Sequence, residues 1–226
     1  MASEKAVDTP HHKGGKGVRT FLATLFIALA GTLILWISTD GGRAFTAEEA
    51  RRLEIRENPR PVPDWQLQNQ EAEPFTFQDW HGHFIVVDFI YTSCPSVCLI
   101  LSSNLRNLQK DFSAAGKSDR LRFLSISFDP EKDTPQRLKE HLSHFSADFT
   151  NWMALRPTSE SQKKAILDFF KVVVIPDEYG GYTHSAGYHI ISPDGKLIAI
   201  FGVDEMDELR SYLNQALEDR ENASDN

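Results

Sequence analysis

The chain has 226 residues, 41% of them hydrophobic, and a formal net charge of −8. That length and apolar content can build one domain core with segments to spare, and they exclude a disordered or fibrous chain. The first 39 residues carry four basic and two acidic side chains, which leaves 20 basic against 30 acidic, a net −10, for the remainder. An acidic domain without a basic stripe excludes nucleic acid as a partner class.

Residues Thr20 to Thr39, TFLATLFIALAGTLILWIST, contain no charge and predict one helix long enough to cross a bilayer. Lys13, Lys16 and Arg19 precede the run and Asp40 follows it. The positive-inside rule therefore keeps residues 1–19 as a cytoplasmic tail, with the rest of the chain outside. A cleaved signal peptide is the alternative, because Ala28-Leu29-Ala30 resembles a processing site. Cleavage there would leave the greasy terminus GTLILWIS, which favours an uncleaved anchor at 20–39. A mitochondrial transit peptide fits less well, since Glu4 and Asp8 are present and arginine is scarce. The expected setting is a bacterial inner membrane crossed once, with the domain in the periplasm.

Residues 40–63 are polar, open with two glycines and end in a cluster of prolines, so they read as a stalk with a short helix at Thr46 to Arg56. A domain is expected over 64–219. DWQLQN and PFTFQD form a short strand pair, and HFIVVDFIY, His83 to Tyr91, is a continuous β-branched run suited to a central strand covered on both faces. A helix follows from Pro95 to about Ala115, with Leu101, Leu105, Leu108 and Phe112 as its buried stripe. RLRFLSISFDP supplies a second apolar strand. Thr134 caps the next helix, with Pro135 at its first position, and SESQKKAILDFFKV gives another. GYHIISPDGKLIAIFG is a hairpin turning at Pro193, Asp194 and Gly195, and DEMDELRSYLNQALED closes the domain as a helix. Residues 220–226 are expected to be a disordered tail.

This order predicts an α/β fold: a parallel strand pair completed by an antiparallel hairpin, giving a mixed central sheet with helices on both faces. That is the thioredoxin-like arrangement. A plain doubly wound sheet is the competing architecture, but it does not explain the late hairpin at SPDGKL.

The only two cysteines, Cys94 and Cys98, lie where the central strand gives way to the first domain helix. Placed at a helix N-terminus, a thiolate is stabilised by unpaired backbone N–H groups and the helix dipole. One turn separates the two residues, so both sulfurs can reach one spot. A structural disulfide, a redox pair and a two-thiolate metal clasp all remain open. An oxidising compartment allows a disulfide to persist, but so short a loop gains little entropic stabilisation from one.

FIYTSCPSVC, SISFDPEKDTPQRLKEH and THSAGYHIISPDGKLIAIFG occur in this order and together resemble the three signature segments of the Sco/SenC family of membrane-anchored, thioredoxin-like copper proteins. The resemblance covers roughly Asp64 to Leu217. It implies a site for Cu(I) and Cu(II) built from Cys94, Cys98 and the histidine before the hairpin, His184. Two thiolates suit a soft cuprous ion, and an imidazole lets the same site hold the cupric form. A closed zinc site needs a fourth protein ligand. The chain departs from the family pattern at Leu99, where many members have proline, and at Thr183, where many have an acidic residue; the second change bears on the charge around His184.

Among the other candidates, His189 is read as a strand residue facing away from His184, and His81 and His83 as exposed turn residues. His11 and His12 fall in the N-terminal tail. Asp129, at the end of the second strand, is read either as a partner of the copper ligands or as a turn former. Tyr91 and Thr92 are placed to line the site.

The resemblance implies a metallochaperone that delivers copper to the dinuclear centre of cytochrome c oxidase, with the copper-accepting oxidase subunit as partner and other periplasmic copper chaperones or thiol reductants as further candidates. The alternative is a thiol–disulfide oxidoreductase, with Cys94 and Cys98 as its redox pair, that keeps the partner's cysteines reduced. Disulfide exchange has no need of His184. A peroxidase finds little support in the sequence.

Overall fold

In the computed structural model, residues 15–38, 46–178 and 180–224 are described. The chain divides into two compact units, residues 1–50 and 51–226.

In the first unit, helix α1 (Gly15–Ser38) contains the uncharged run down to Ser38. From Arg19 onward it is long and apolar enough to cross a membrane, a property it shares with signal sequences. Its large apolar side chains, Phe21, Phe26, Leu29 and Trp36 among them, are exposed. Of the tail expected at residues 1–19, residues 1–14, with His11 and His12, lie outside the described residues, as do Thr39 and the start of the expected stalk, while residues 15–19 lie in α1.

The second unit begins earlier than residue 64. The unit starts at Arg51, inside helix α2 (Ala47–Glu57); Ile55 of that helix is buried, and β1 (Arg60–Pro61) pairs antiparallel with β10 (Lys196–Gly202), so residues 51–63 belong to this unit. β2 (Leu67–Asn69) and β3 (Pro74–Phe75) form the expected short pair. The central run becomes β4 (Phe84–Ile90), every residue of which is buried. After it come α3 (Val97–Ala114), β5 (Leu121–Ser127), α4 (Pro135–His144), β6 (Trp152–Arg156) and α5 (Glu160–Phe170). Thr134 caps α4 by accepting the Arg137 N–H at 3.3 Å, with Pro135 at the first helical turn as expected.

A small hairpin, β7 (Val174–Pro176) with β8 (Tyr182–His184), forms a separate two-stranded sheet. β9 (Gly187–Ile191) and β10 are the predicted late hairpin; Gly195 in its turn has φ +76°, and a Cβ there would meet His81 Nε2 at 2.7 Å. α6 (Met206–Ser224) runs through residues 220–224, which were expected to be disordered.

The main sheet has the order β1-β10-β9-β4-β5-β6-β2-β3. β4, β5 and β6 are parallel, and β9 returns antiparallel beside β4. The expected parallel pair is thus a parallel triplet, but the mixed, thioredoxin-like plan holds. Right-handed crossovers place α3 and α4 on one face, joined by the Ser102–His141 hydrogen bond at 2.9 Å, and α6 lies alongside α3 through Arg210–Asp111 and Lys117–Asn214. α5 covers the other face, where Phe170 meets His189 edge-on and packs at a tilt against Phe89. Alternation along β4 therefore sends Phe89 toward α5 and Asp88 toward α3.

Candidate metal centre

The first site residue is positioned by the end of the buried strand. β4 runs to Ile90, whose carbonyl accepts the Phe128 N–H at 3.0 Å, and the chain then turns over Tyr91–Cys94, closed by Cys94 N–H on the Tyr91 carbonyl at 3.1 Å. Helix α3 begins at Val97 with Ser96 as N-cap, two residues later than the sequence placed it. Ser96 has φ −141° and ψ −89°, outside the helical region, so Pro95 ends the loop instead of opening the helix. Cys98 consequently occupies the first turn, and its N–H, which has no partner within the helix, donates to Cys94 Sγ at 3.4 Å. Both thiols are free and buried.

The third residue comes from the far side of the sequence. His184 ends β8, paired with Val174. Ser185 fastens the hairpin through its N–H on the Val173 carbonyl and its Oγ accepting the Val173 N–H, both at 3.0 Å. The imidazole rests against Phe128 at 4.9 Å and Tyr91 at 6.2 Å between ring centroids. Its Nδ1 is 3.2 Å from the Ser185 carbonyl, so Nδ1 carries the proton and Nε2 presents a lone pair. That Nε2 lies 3.6 Å from Cys98 Sγ. The ligand atoms of Cys94, Cys98 and His184 all fall within 4.8 Å of one another. With bonds of about 2.0–2.3 Å to nitrogen and sulfur, two ligands of one ion can sit up to roughly 4.6 Å apart. The donor set, two soft sulfurs and one imidazole, fits a copper ion with little rearrangement.

The two thiols differ electrostatically. Burial alone would raise Cys94, but the backbone N–H groups of Ser96 and Cys98, the Cys98 thiol and the Tyr91 hydroxyl act on its sulfur, and its pKa falls below the ordinary thiol value. Burial pushes Cys98 well above that value, and the negative charges of Cys94 and Asp88 push in the same direction. Burial also lowers His184, partly offset by its bond to Ser185, so a neutral imidazole is favoured. The arrangement supplies one thiol that ionises more readily than an ordinary cysteine, a second that ionises less readily, and an imidazole whose Nε2 is free to accept.

The other sequence candidates fall elsewhere. Tyr91 does line the site: its ring meets Tyr182 and Phe128, and its Oη accepts the Tyr182 N–H at 3.4 Å. His189 is buried on the α5 face with Nε2 3.2 Å from the Phe170 carbonyl. His81 is exposed, whereas His83 is partly buried and accepts from Arg122 at 3.0 Å, which corrects the reading of it as an exposed turn residue. Asp129 is buried and paired with Lys132 at 3.2 Å, facing Tyr182 and not the sulfurs. The carboxylate that reaches the cysteine loop is Asp133, which accepts from Thr92 and Ser127. Asp88 was also missed. It is fully buried, neither of its oxygens makes a hydrogen bond of normal geometry, and burial raises it to about 7 while the Ser125 side chain holds it back.

Comparison with known proteins points to one family. The sequence model of the SCO1/SenC family matches residues 54–217. The SCO1 protein homolog of Bacillus subtilis is 31% identical over 142 residues, covering 58% of this chain and 72% of that protein. Among solved structures, BsSco, a member of the Sco family of cytochrome c oxidase assembly proteins in which a disulfide switch was identified, superposes with a TM-score of 0.62 at 28% identity, over 70% of this chain and 94% of its own. Bradyrhizobium japonicum ScoI with copper bound gives a TM-score of 0.55 at 26% identity, over 70% and 99%. With the family match spanning most of the packed unit, the chain belongs to the SCO1/SenC family.

Proposed function

We propose that this chain binds copper between Cys94, Cys98 and His184 and passes it to the copper-accepting subunit of cytochrome c oxidase. The observation that carries the reading is the convergence of three donor atoms within 4.8 Å from two distant parts of the chain. Family membership and a copper-bound relative of the same fold support the choice of metal. Both Cu(I) and Cu(II) suit the mixed sulfur and nitrogen donors. We place α1 as an uncleaved anchor in a bacterial inner membrane, its N-terminus cytoplasmic and the domain periplasmic, on the strength of its apolar length and the basic residues before it.

A second reading has its own support. A lowered Cys94 beside a raised Cys98 is the division a thiol–disulfide exchanger needs, one sulfur attacking and the other resolving. The two activities are separated by presenting the copper-loaded, reduced full-length chain to the copper-free oxidase domain, with that domain's cysteines either reduced or joined. Copper transfer to the reduced acceptor supports delivery. Reduction of the joined acceptor without copper transfer supports exchange and overturns the first reading.

A further inference from the structure

Asp133 lies 41 residues from Thr92 in sequence, yet its carboxylate accepts the Thr92 N–H at 3.2 and 3.1 Å and the Thr92 hydroxyl at 2.5 Å. It also accepts the Ser127 hydroxyl at 2.5 Å and is fully buried. A carboxylate so removed from water is tolerated only when its lone pairs are filled, and here Thr92 fills most of them. Thr92 is the second residue of the Tyr91–Cys94 turn.

We infer that Asp133 is a positioning residue for the metal centre: it clamps Thr92, and through that turn it fixes where the Cys94 sulfur stands relative to Cys98 and His184. Three further contacts make the clamp rigid. The Asp133 N–H is bound to the Asp129 carbonyl at 2.9 Å, Ser127 Oγ accepts the Asp129 N–H at 3.1 Å, and the Phe128 N–H is tied to the Ile90 carbonyl at 3.0 Å. The carboxylate thus stands on the end of β5 and the start of α4, while the turn it holds leaves the end of β4. Cys98 is held independently by α3 and His184 by the β7–β8 hairpin. The Asp133–Thr92 link is therefore a side-chain restraint on the backbone of the one donor that lies outside regular secondary structure. Loss of the clamp lets the turn relax without unfolding α3. Groups hydrogen-bonded directly to metal ligands typically govern about 10–100-fold in metal affinity, and a clamp acting through Thr92, two residues before Cys94, is expected at the lower end of that range.

The inference rests on the copper reading for its metal arm but not for its thiol arm. The test uses the full-length chain in mild detergent as wild type, Thr92→Val, Asp133→Asn and the double variant. The core variant Leu213→Ala on α6, far from the loop, serves as a control for lost stability. Two quantities are read: the rate of iodoacetamide labelling at Cys94 without metal, and copper affinity by competition together with the sulfur-to-copper charge-transfer band. Each single variant is expected to change the labelling rate about threefold or more, weaken copper about tenfold and shift the band. The double variant should fall short of the product of the two singles, because both weaken the same link. Leu213→Ala should melt earlier and leave both readings within about twofold.

Single variants that match wild type in both readings overturn the clamp, as do multiplying effects in the double variant or equal effects in Leu213→Ala. If Asp133→Asn does not fold, Thr92→Val against the control decides. If wild type takes no copper, the functional reading fails, and the labelling rates still decide the clamp.

Discussion

Cys98 and His184, 86 residues apart in the chain, bring Sγ and Nε2 to 3.6 Å. The sulfur is delivered by the first turn of α3, and the nitrogen by a hairpin that is not hydrogen-bonded to the main sheet. Because Nδ1 is committed to the Ser185 carbonyl, the nitrogen facing the sulfur is the one free to bind a cation.

The unequal thiols lead to the first prediction. Cys94 lies below and Cys98 above the ordinary thiol value, and only thiolate reacts. At neutral pH, iodoacetamide should label Cys94 on the order of tenfold faster than Cys98. Peptide mass mapping over time checks this, and equal rates would contradict the assigned division of roles.

Asp88 gives a pH dependence of known sign. Its folded pKa, about 7, is raised above the ordinary aspartate value of 3.8, chiefly by burial. Its contribution to stability is therefore fully present below about pH 4 and is lost as pH rises through 7, at up to about 1.4 kcal/mol per pH unit. Asp88→Asn removes that loss. Denaturant unfolding of wild type and variant between pH 4 and 8 should show the stability difference moving toward the variant as pH rises, then levelling off above 7.

His141 acts with the opposite sign over nearly the same window. Burial, and then the charge of His144, lower it from 6.5 to about 4 while its Nε2 bonds Ser102 at 2.9 Å. A depressed histidine contributes stability above pH 6.5 that is lost as pH falls toward 4, again at up to about 1.4 kcal/mol per unit. The two slopes oppose each other in wild type. His141→Gln should therefore resist acid better than wild type, and Asp88→Asn worse, in the same unfolding series. Parallel curves for all three chains would contradict both assignments.

What the sequence disclosed follows from how strongly each segment is patterned. β4, β5 and β9 are rich in β-branched, aromatic and leucine side chains, and their almost complete burial produces that signal. β1 did not show, since two residues including a proline leave no alternation to read, and Ile55 is one buried apolar residue in a charged helix. The β7–β8 hairpin was hidden by exposure, with Val173 and Ile175 more than half exposed, and by the proline and glycines around its turn. Cys94 and Cys98 were legible from local spacing alone. His184 was not, because no local pattern links it to a cysteine 86 residues away; only resemblance across three segments selected it. Asp133 escaped because an acidic residue beside a helix cap looks like any turn former until the fold carries Thr92 to it.

The central claim is that His184 completes a copper site with Cys94 and Cys98, and a competition titration with Cu(II) on the reduced full-length chain tests it most directly. The account predicts one copper per chain for wild type, affinity weakened by about tenfold or more in His184→Ala, and undiminished formation of the Cys94–Cys98 disulfide in that variant. Equal Cu(II) affinity in wild type and His184→Ala would contradict it.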